Sequence, residues 1–211
     1  MLTFRNKFNN LVKNGSGVYT VQEIIDYFDK DSIFALLFLI TFPTSIPAPP
    51  QAFGAETVFG GTITLLLSIQ LIMGFDKPYL PEFITSKKIN LGYLKNNKYY
   101  EKADSAMKKI ESIFKKRYTF IFHPFFVKII ALIMMAPAVL MAIPFFFTNL
   151  FPSQAVTLIS FAYLLKDGLM MIIASVLTVL MSLVYLIFFK KIVEWGKRWM
   201  KNRRRGRRGR R

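Results

Sequence analysis

Residues 125–189, FFVKIIALIMMAPAVLMAIPFFFTNLFPSQAVTLISFAYLLKDGLMMIIASVLTVLMSLVYLIFF, carry three charges in their whole length: Lys128, Lys166 and Asp167. A hydrocarbon layer about 30 Å thick takes roughly 20 apolar residues per helix. Leu169 to Phe189 is the only run expected to meet that length without interruption. A second block, Ile33 to Phe75, has the same character and contains one charge, Glu56. Of 29 Lys and Arg and 12 Asp and Glu, the two blocks and their edges hold only Glu56, Asp76, Lys128, Lys166 and Asp167. An ionised side chain in hydrocarbon costs several kcal/mol, so this segregation predicts an all-α, polytopic membrane protein.

Composition agrees. The chain is 53% hydrophobic, with 22 Phe and 10 Met, beyond ordinary globular usage. Charge collects in the flanks: residues 76–128 hold 12 Lys and Arg against 5 Asp and Glu, and residues 190–211 hold 12 against one. The net charge of +17 therefore reads as membrane-flanking charge facing anionic headgroups, in preference to a nucleic-acid surface. The run Arg203 to Arg211 reads the same way, as a disordered tail that orients the chain and touches anionic lipid. With no cysteine there is no disulfide, thiolate or sulfur ligand. His123 stands alone, so no metal site is expected. No cofactor motif or catalytic set is found, which argues against an enzyme. Met1 to Lys30 has no cleavable signal pattern.

Val18 to Asp31 predicts a short interfacial amphipathic helix, with Thr20 as N-cap, Glu23 at the capping-box position, and Val21, Ile24, Ile25 and Phe28 on one side. Asp31 or Ser32 is placed to cap the next helix. That helix runs into Pro43, Pro47, Pro49 and Pro50 after too few apolar residues for a comfortable span, the pattern of a broken or re-entrant helix. A second helix is expected to start after Gly60-Gly61 and to leave at Asp76-Lys77-Pro78. The later block repeats the plan: Ile143-Pro144 echoes Ile46-Pro47, Phe151 to Leu165 overlays Phe59 to Met73 with Ser160 on Ser68, and Lys166-Asp167-Gly168 forms the exit. The expected organisation is an N-terminal interfacial segment (1–31), a hairpin (32–76), a basic amphipathic connector (77–124), a second hairpin (125–168), a transmembrane helix (169–189) and a disordered Arg-rich tail (190–211). Five full crossings would separate the two basic segments, against the positive-inside tendency; a re-entrant second hairpin would reunite them.

Duplicated hairpins about a pseudo-twofold axis commonly meet at a central site. Glu56 lies in the first polar break and Asn149 in the second, and an intramembrane carboxylate is a functional candidate by default. Thr44, Ser45, Thr148, Ser153 and Gln154 add a polar lining suited to sugar or phosphate oxygens. The same groups could instead satisfy backbone freed by the helix breaks at Pro47, Pro49, Pro50, Pro144 and Pro152. Gln70 faces the same choice. Asp167 reads as an internal ion pair with the adjacent Lys166, a cap before Leu169 or an interfacial loop residue. In the connector, Tyr100, Ala103, Met107, Ile110 and Phe114 form one stripe among lysines, which fits a helix lying on the cytoplasmic leaflet or a partner-binding helix in a homo-oligomer.

Taken together, Phe42-Pro43 through Ile46-Pro47-Ala48-Pro49-Pro50, Gly61 to Gly74 with Gln70, Pro78-Tyr79-Leu80-Pro81, Ile143-Pro144, Asn149 with Pro152, and Leu165-Lys166-Asp167-Gly168 resemble the ExoD family over roughly Asp31 to Leu186. Tyr79 departs from the Trp common in the exit motif, and the Arg-rich tail is outside the resemblance. The resemblance implies a bacterial inner-membrane protein tied to exopolysaccharide synthesis. Two functions follow as expectations: binding or movement of a lipid-linked saccharide or polyprenyl-phosphate carrier at the Glu56/Asn149 breaks, or a non-transporting scaffold that acts through the helix Lys98 to Tyr118.

Overall fold

The computed structural model describes residues 4–14, 17–45, 55–92, 95, 98–142 and 150–208; side chains at 14, 43, 55–58, 98, 99, 102, 103, 106, 107, 110, 189, 192, 193, 195–197 and 199–208 lie outside that description. The chain opens with α1 (Phe4–Asn14) and α2 (Val21–Phe28). The capping box that starts α2 is complete: Thr20 Oγ1 accepts from Glu23 N, and Glu23 returns a carboxylate to Thr20 N at 2.7 Å. Val21, Ile24, Ile25 and Phe28 are buried, as their spacing predicts. They face protein, because Phe4 of α1 packs a tilted ring against Phe28 and meets Phe38 beyond it edge to face.

The expected all-helical chain carries one exception. Val18–Thr20 (β1) pairs antiparallel with Lys88–Asn90 (β2), Tyr19 opposite Ile89. Each strand is three residues long, too short to leave an alternating pattern in sequence. The ribbon ties the N-terminal segment to the connector, which also contains α5 (Glu82–Thr85), α6 (Lys98–Ile113) and a 3-10 turn (Thr119–Phe122).

Four helices form the body: α3 (Ser32–Thr44), α4 (Ala55–Met73), α7 (Pro124–Ala142) and α8 (Leu150–Leu164). α3 has no polar face because protein surrounds it; Ile33 through Phe38 are all buried, as an all-round apolar helix requires. It packs antiparallel on α8. Phe34 stacks on Tyr163, Phe38 on Phe161, and Thr157 donates to Thr41 Oγ1 at 2.8 Å. Likewise α4 packs antiparallel on α7: Gly61 abuts Ala142 at one end, and Gly74 abuts Lys128 at the other.

That contact corrects the expected helix start at Gly60-Gly61. α4 already begins at Ala55 and runs through both glycines. A Cβ on Gly61 would lie 2.4 Å from Ala142 N, so this glycine permits two backbones to touch. Asp31 does not cap α3 with its side chain; its carboxylate accepts from Lys166 Nζ at 2.9 Å.

The last helix, α9 (Gly168–Arg208), starts at the connector end, beside the α7 N-terminus, and Tyr185 reaches Leu140 and Pro152 at the other end. It continues through Arg208, so the expected span and the segment expected to be disordered from residue 190 form one helix. Lys, Arg and Met are good helix formers, and cations near a C-terminus complement the helix dipole. Pro124–Ala142 and Gly168–Phe188 are long and apolar enough to cross a membrane; Phe59–Met73 and Leu150–Leu164 are shorter apolar helices.

Candidate functional site

Two polar clusters lie at opposite ends of the helical body. At the connector end, Asp167 is the centre. Its side chain is fully buried and accepts from Lys115 N (2.9 Å), Arg117 Nε (3.1 Å), Leu169 N (3.1 Å) and Met170 N (3.2 Å). The cap before Leu169 holds, but the ion pair expected with Lys166 does not form: Asp167 pairs with Arg117, and Lys166 with Asp31. Burial opposes its ionisation, but the bonds from Arg117 and from the Lys115 and Met170 amides outweigh it, leaving the carboxyl below its ordinary range. The segment 115–118 is thereby fastened across the start of α9, and Gly168 N adds a bond to Arg117 O at 2.9 Å. Gly168 is required there, since a Cβ would fall 2.2 Å from Tyr118 O.

Beside this, Lys166 adopts φ +57, donates to Asp31, and lies 3.9 Å from the Tyr163 ring centroid. Lys7 approaches the other Asp31 oxygen at 4.0 Å. A second fork joins the amino terminus to the connector. Arg5 grips Asp104 with two bonds of 2.7 Å and Asn9 adds a third; the Arg5 bond holds the Asp104 carboxyl below its usual range. Arg5 and Arg117 are the only arginines before Arg198, and each grips an aspartate. In a chain that otherwise uses lysine before α9, that choice was a readable signal, because guanidinium forks suit partly buried carboxylates.

At the other end the polar groups serve the backbone. Ser153 Oγ reaches Thr44 O at 3.0 Å, Gln154 Nε2 reaches Ser45 O at 3.0 Å, Thr44 Oγ1 bonds Thr41 O, and Ser45 Oγ bonds Phe42 O. These contacts satisfy carbonyls left open where α3 ends. Thr44 and Ser45 are thus brought together with Ser153 and Gln154, as a helix-end cap. Pro152 does not break a helix; it sits buried in the first turn of α8, where a missing N–H costs nothing. Glu56 lies in the first turn of α4, its side chain outside the described residues. Asn149, Pro47, Pro49, Pro50, Pro144 and Thr148 also lie outside them.

Gln70 is not at this end. Its amide clamps the exit motif, with Nε2 donating to Tyr79 O and Oε1 accepting from Tyr79 N, both at 2.7 Å. Both amide groups are committed to the backbone. Asp167 and Gln70 therefore belong to the connector end, and the single midplane site expected from sequence divides. Two hydroxyls missed as candidates, Thr64 and Ser160, are fully buried with no partner among the described residues. The described residues contain no group of three His, Cys, Asp or Glu that could hold a metal.

The profile of the family described as "Exopolysaccharide synthesis, ExoD" matches residues 8–188. The uncharacterized protein slr1875 of Synechocystis sp. is 29% identical over 181 residues, covering 82% of this chain and 83% of that protein. No solved structure matches.

Proposed function

The chain belongs to the ExoD family, whose role is in exopolysaccharide synthesis, and on that premise we propose that it is a multi-pass, non-enzymatic protein of the bacterial inner membrane that binds or moves a lipid-linked saccharide or polyprenyl-phosphate carrier. The observation that carries the membrane part is α9. From Ile173 to Phe188 it is almost wholly apolar, yet Val176, Val184 and Phe188 are 53%, 65% and 61% exposed. Burying one such side chain is worth about 1.5–3 kcal/mol. Ten large apolar residues among those described on this helix are exposed, so water would forfeit stabilisation comparable to a whole domain's net stability of about 5–15 kcal/mol. Lipid removes that penalty.

The duplicated-hairpin reading draws support from local geometry. α4 ends with Gly74 at φ +90 and a bond from Phe75 N to Gln70 O; α8 ends with Lys166 at φ +57 and a bond from Asp167 N to Ala162 O. Both are Schellman-type ends. Ser68 and Ser160 are both fully buried. Asp31, before α3, meets the end of α8, as Lys128 near the start of α7 meets the end of α4. Under this reading the first helix of each hairpin packs on the second helix of the other, and the axis runs along the bundle. The helix ends flanking 46–54 and 143–149 then share one end, the place for a common polar site that includes Glu56 and Asn149.

The test uses full-length protein in vesicles containing a polyprenyl phosphate. Binding or transbilayer movement that falls in Glu56→Gln and Asn149→Ala supports the proposal. Folded protein that neither binds nor moves the lipid overturns it. Under the scaffold alternative those two variants keep their polysaccharide phenotype, while charges at Met107 and Ile110 abolish it. Part of that helix's stripe is already engaged within the chain: Tyr100 is buried and bonds Asn9, and Phe114 packs on Phe161.

A further inference from the structure

Between the 3-10 turn, α7 and α9 runs a groove of about 310 Å³, lined by Ile121, Phe126, Ile133, Ile172, Val176 and Leu180 among others. Its one hydroxyl, Ser175 Oγ, is committed to Met171 O at 2.7 Å, so an enclosed water would lack the two to four partners it needs. The lining extends from Phe126 to Ile133 on α7 and from Ile172 to Leu180 on α9, about 10–12 Å along two parallel helices. A helix about 10 Å across is too wide for a cleft between two helices already in contact. An extended hydrocarbon chain is not.

The groove opens sideways, with Ile129, Val176 and Leu180 exposed along its rim. Its connector end lies beneath the segment that Asp167 fastens across the α9 N-terminus. On that segment Lys115 and Lys116 are exposed and join no ion pair among the described residues. The adjacent carboxylate, Asp167, is already matched by Arg117. Tyr118, Phe120 and Phe125 stand exposed around the same end, the position of an interfacial aromatic belt. An apolar slot whose connector end adjoins a segment bearing two uncommitted cations matches a molecule with a long apolar chain and an anionic head.

We propose that this groove holds one hydrocarbon chain of an anionic membrane lipid, whose phosphate meets Lys115 and Lys116. The inference rests on the membrane reading above and gives it a chain-binding site distinct from the Glu56/Asn149 end. The test is photolabelling of the full chain, reconstituted in mixed phosphatidylglycerol and phosphatidylcholine vesicles, by phosphatidylglycerol with a diazirine on its acyl chain. Labelled peptides are mapped by mass spectrometry. Labels should concentrate on Phe126–Ile133 and Ile172–Leu180. Val176→Trp and Leu180→Trp, at half-exposed positions that tolerate the larger ring, should reduce groove labelling roughly tenfold, about 1.4 kcal/mol of occupancy. Leu183→Trp, outside the lining, should leave it unchanged, and Lys115→Glu with Lys116→Glu should erase the preference for phosphatidylglycerol over phosphatidylcholine. Helical content and elution volume confirm that each variant is folded. Labels spread evenly over the exposed faces of α9, or groove labels indifferent to the tryptophans, overturn the inference while leaving the membrane reading standing. Absence of labelling anywhere in folded protein overturns both.

Discussion

Gly60 and Gly61 are neighbours in one helix, and the structure gives their substitution by alanine opposite signs. A Cβ on Gly60 would find Ile40 Cγ2 at 3.6 Å and Met141 Cε at 3.9 Å, ordinary van der Waals distances. Glycine inside a helix costs about 0.8–1 kcal/mol relative to alanine, so Gly60→Ala should stabilise by up to about that amount. A Cβ on Gly61 would lie 2.4 Å from Ala142 N, 2.7 Å from Met141 C and 2.9 Å from Ala142 Cα. All three are backbone atoms, which cannot rotate aside, so α4 and α7 must separate. Overpacking of this kind costs about 1–3 kcal/mol, which exceeds the same propensity gain. In a chain of this size 1 kcal/mol moves Tm by about 2–4 °C. Thermal loss of the monodisperse peak in detergent should rise slightly for Gly60→Ala and fall by several degrees for Gly61→Ala. Equal responses from the two would refute the close approach of α4 and α7, and with it the interlocked packing.

Asp167→Ala should cost about 3 kcal/mol, the low end for breaking a buried pair, since the Arg117 side chain keeps 35% exposure; the same thermal assay checks it. The depressed carboxyl also sets a pH dependence. Its stabilising share is complete above the unfolded value of about 3.9 and is lost as pH falls through the lower folded value, so Asp167→Asn should flatten the acid side of the stability curve. Gln70→Leu removes two hydrogen bonds to the Tyr79 backbone, a cost of about 0.5–1.5 kcal/mol each, and limited proteolysis should then cut faster near Tyr79. Cysteines placed at Phe120 and Arg205, in a chain that has none of its own, should label from opposite sides of the membrane. Labelling of both from one side would refute a spanning α9.

What sequence revealed follows the range of the forces involved. The Thr20/Glu23 box and the apolar face of α2 were legible because both are set within a few residues. α9 was legible because continuous apolar length needs no partner to be recognised; α7, which carries Lys128 and Pro137, was read as one arm of a short hairpin although it is long enough to cross a membrane. Gly61 was misread because glycine is local punctuation in a sequence, whereas here its purpose is Ala142, on another helix. Gln70 and Asp167 stood out as polar groups among apolar ones, but their partners, Tyr79 and the 115–118 segment, become neighbours only after packing. Pro152 shows the converse: the same residue ends one helix or opens the next, and only the path of the chain decides.

The pairing of α3 with α8 has a consequence for synthesis. The hydrogen bonds that close this pair join residues 109 to 116 positions apart, and at about 5–20 residues per second the partner emerges on the order of ten seconds after α3. Thirteen residues make a helix of about 20 Å, short of a bilayer's apolar depth of about 30 Å. During that interval α3 has neither its partner nor the length to anchor itself. On the membrane reading proposed above, the nascent chain is shielded by the insertion machinery until the second half arrives, and truncation before α8 should yield a product that is degraded, with no half-sized folded intermediate.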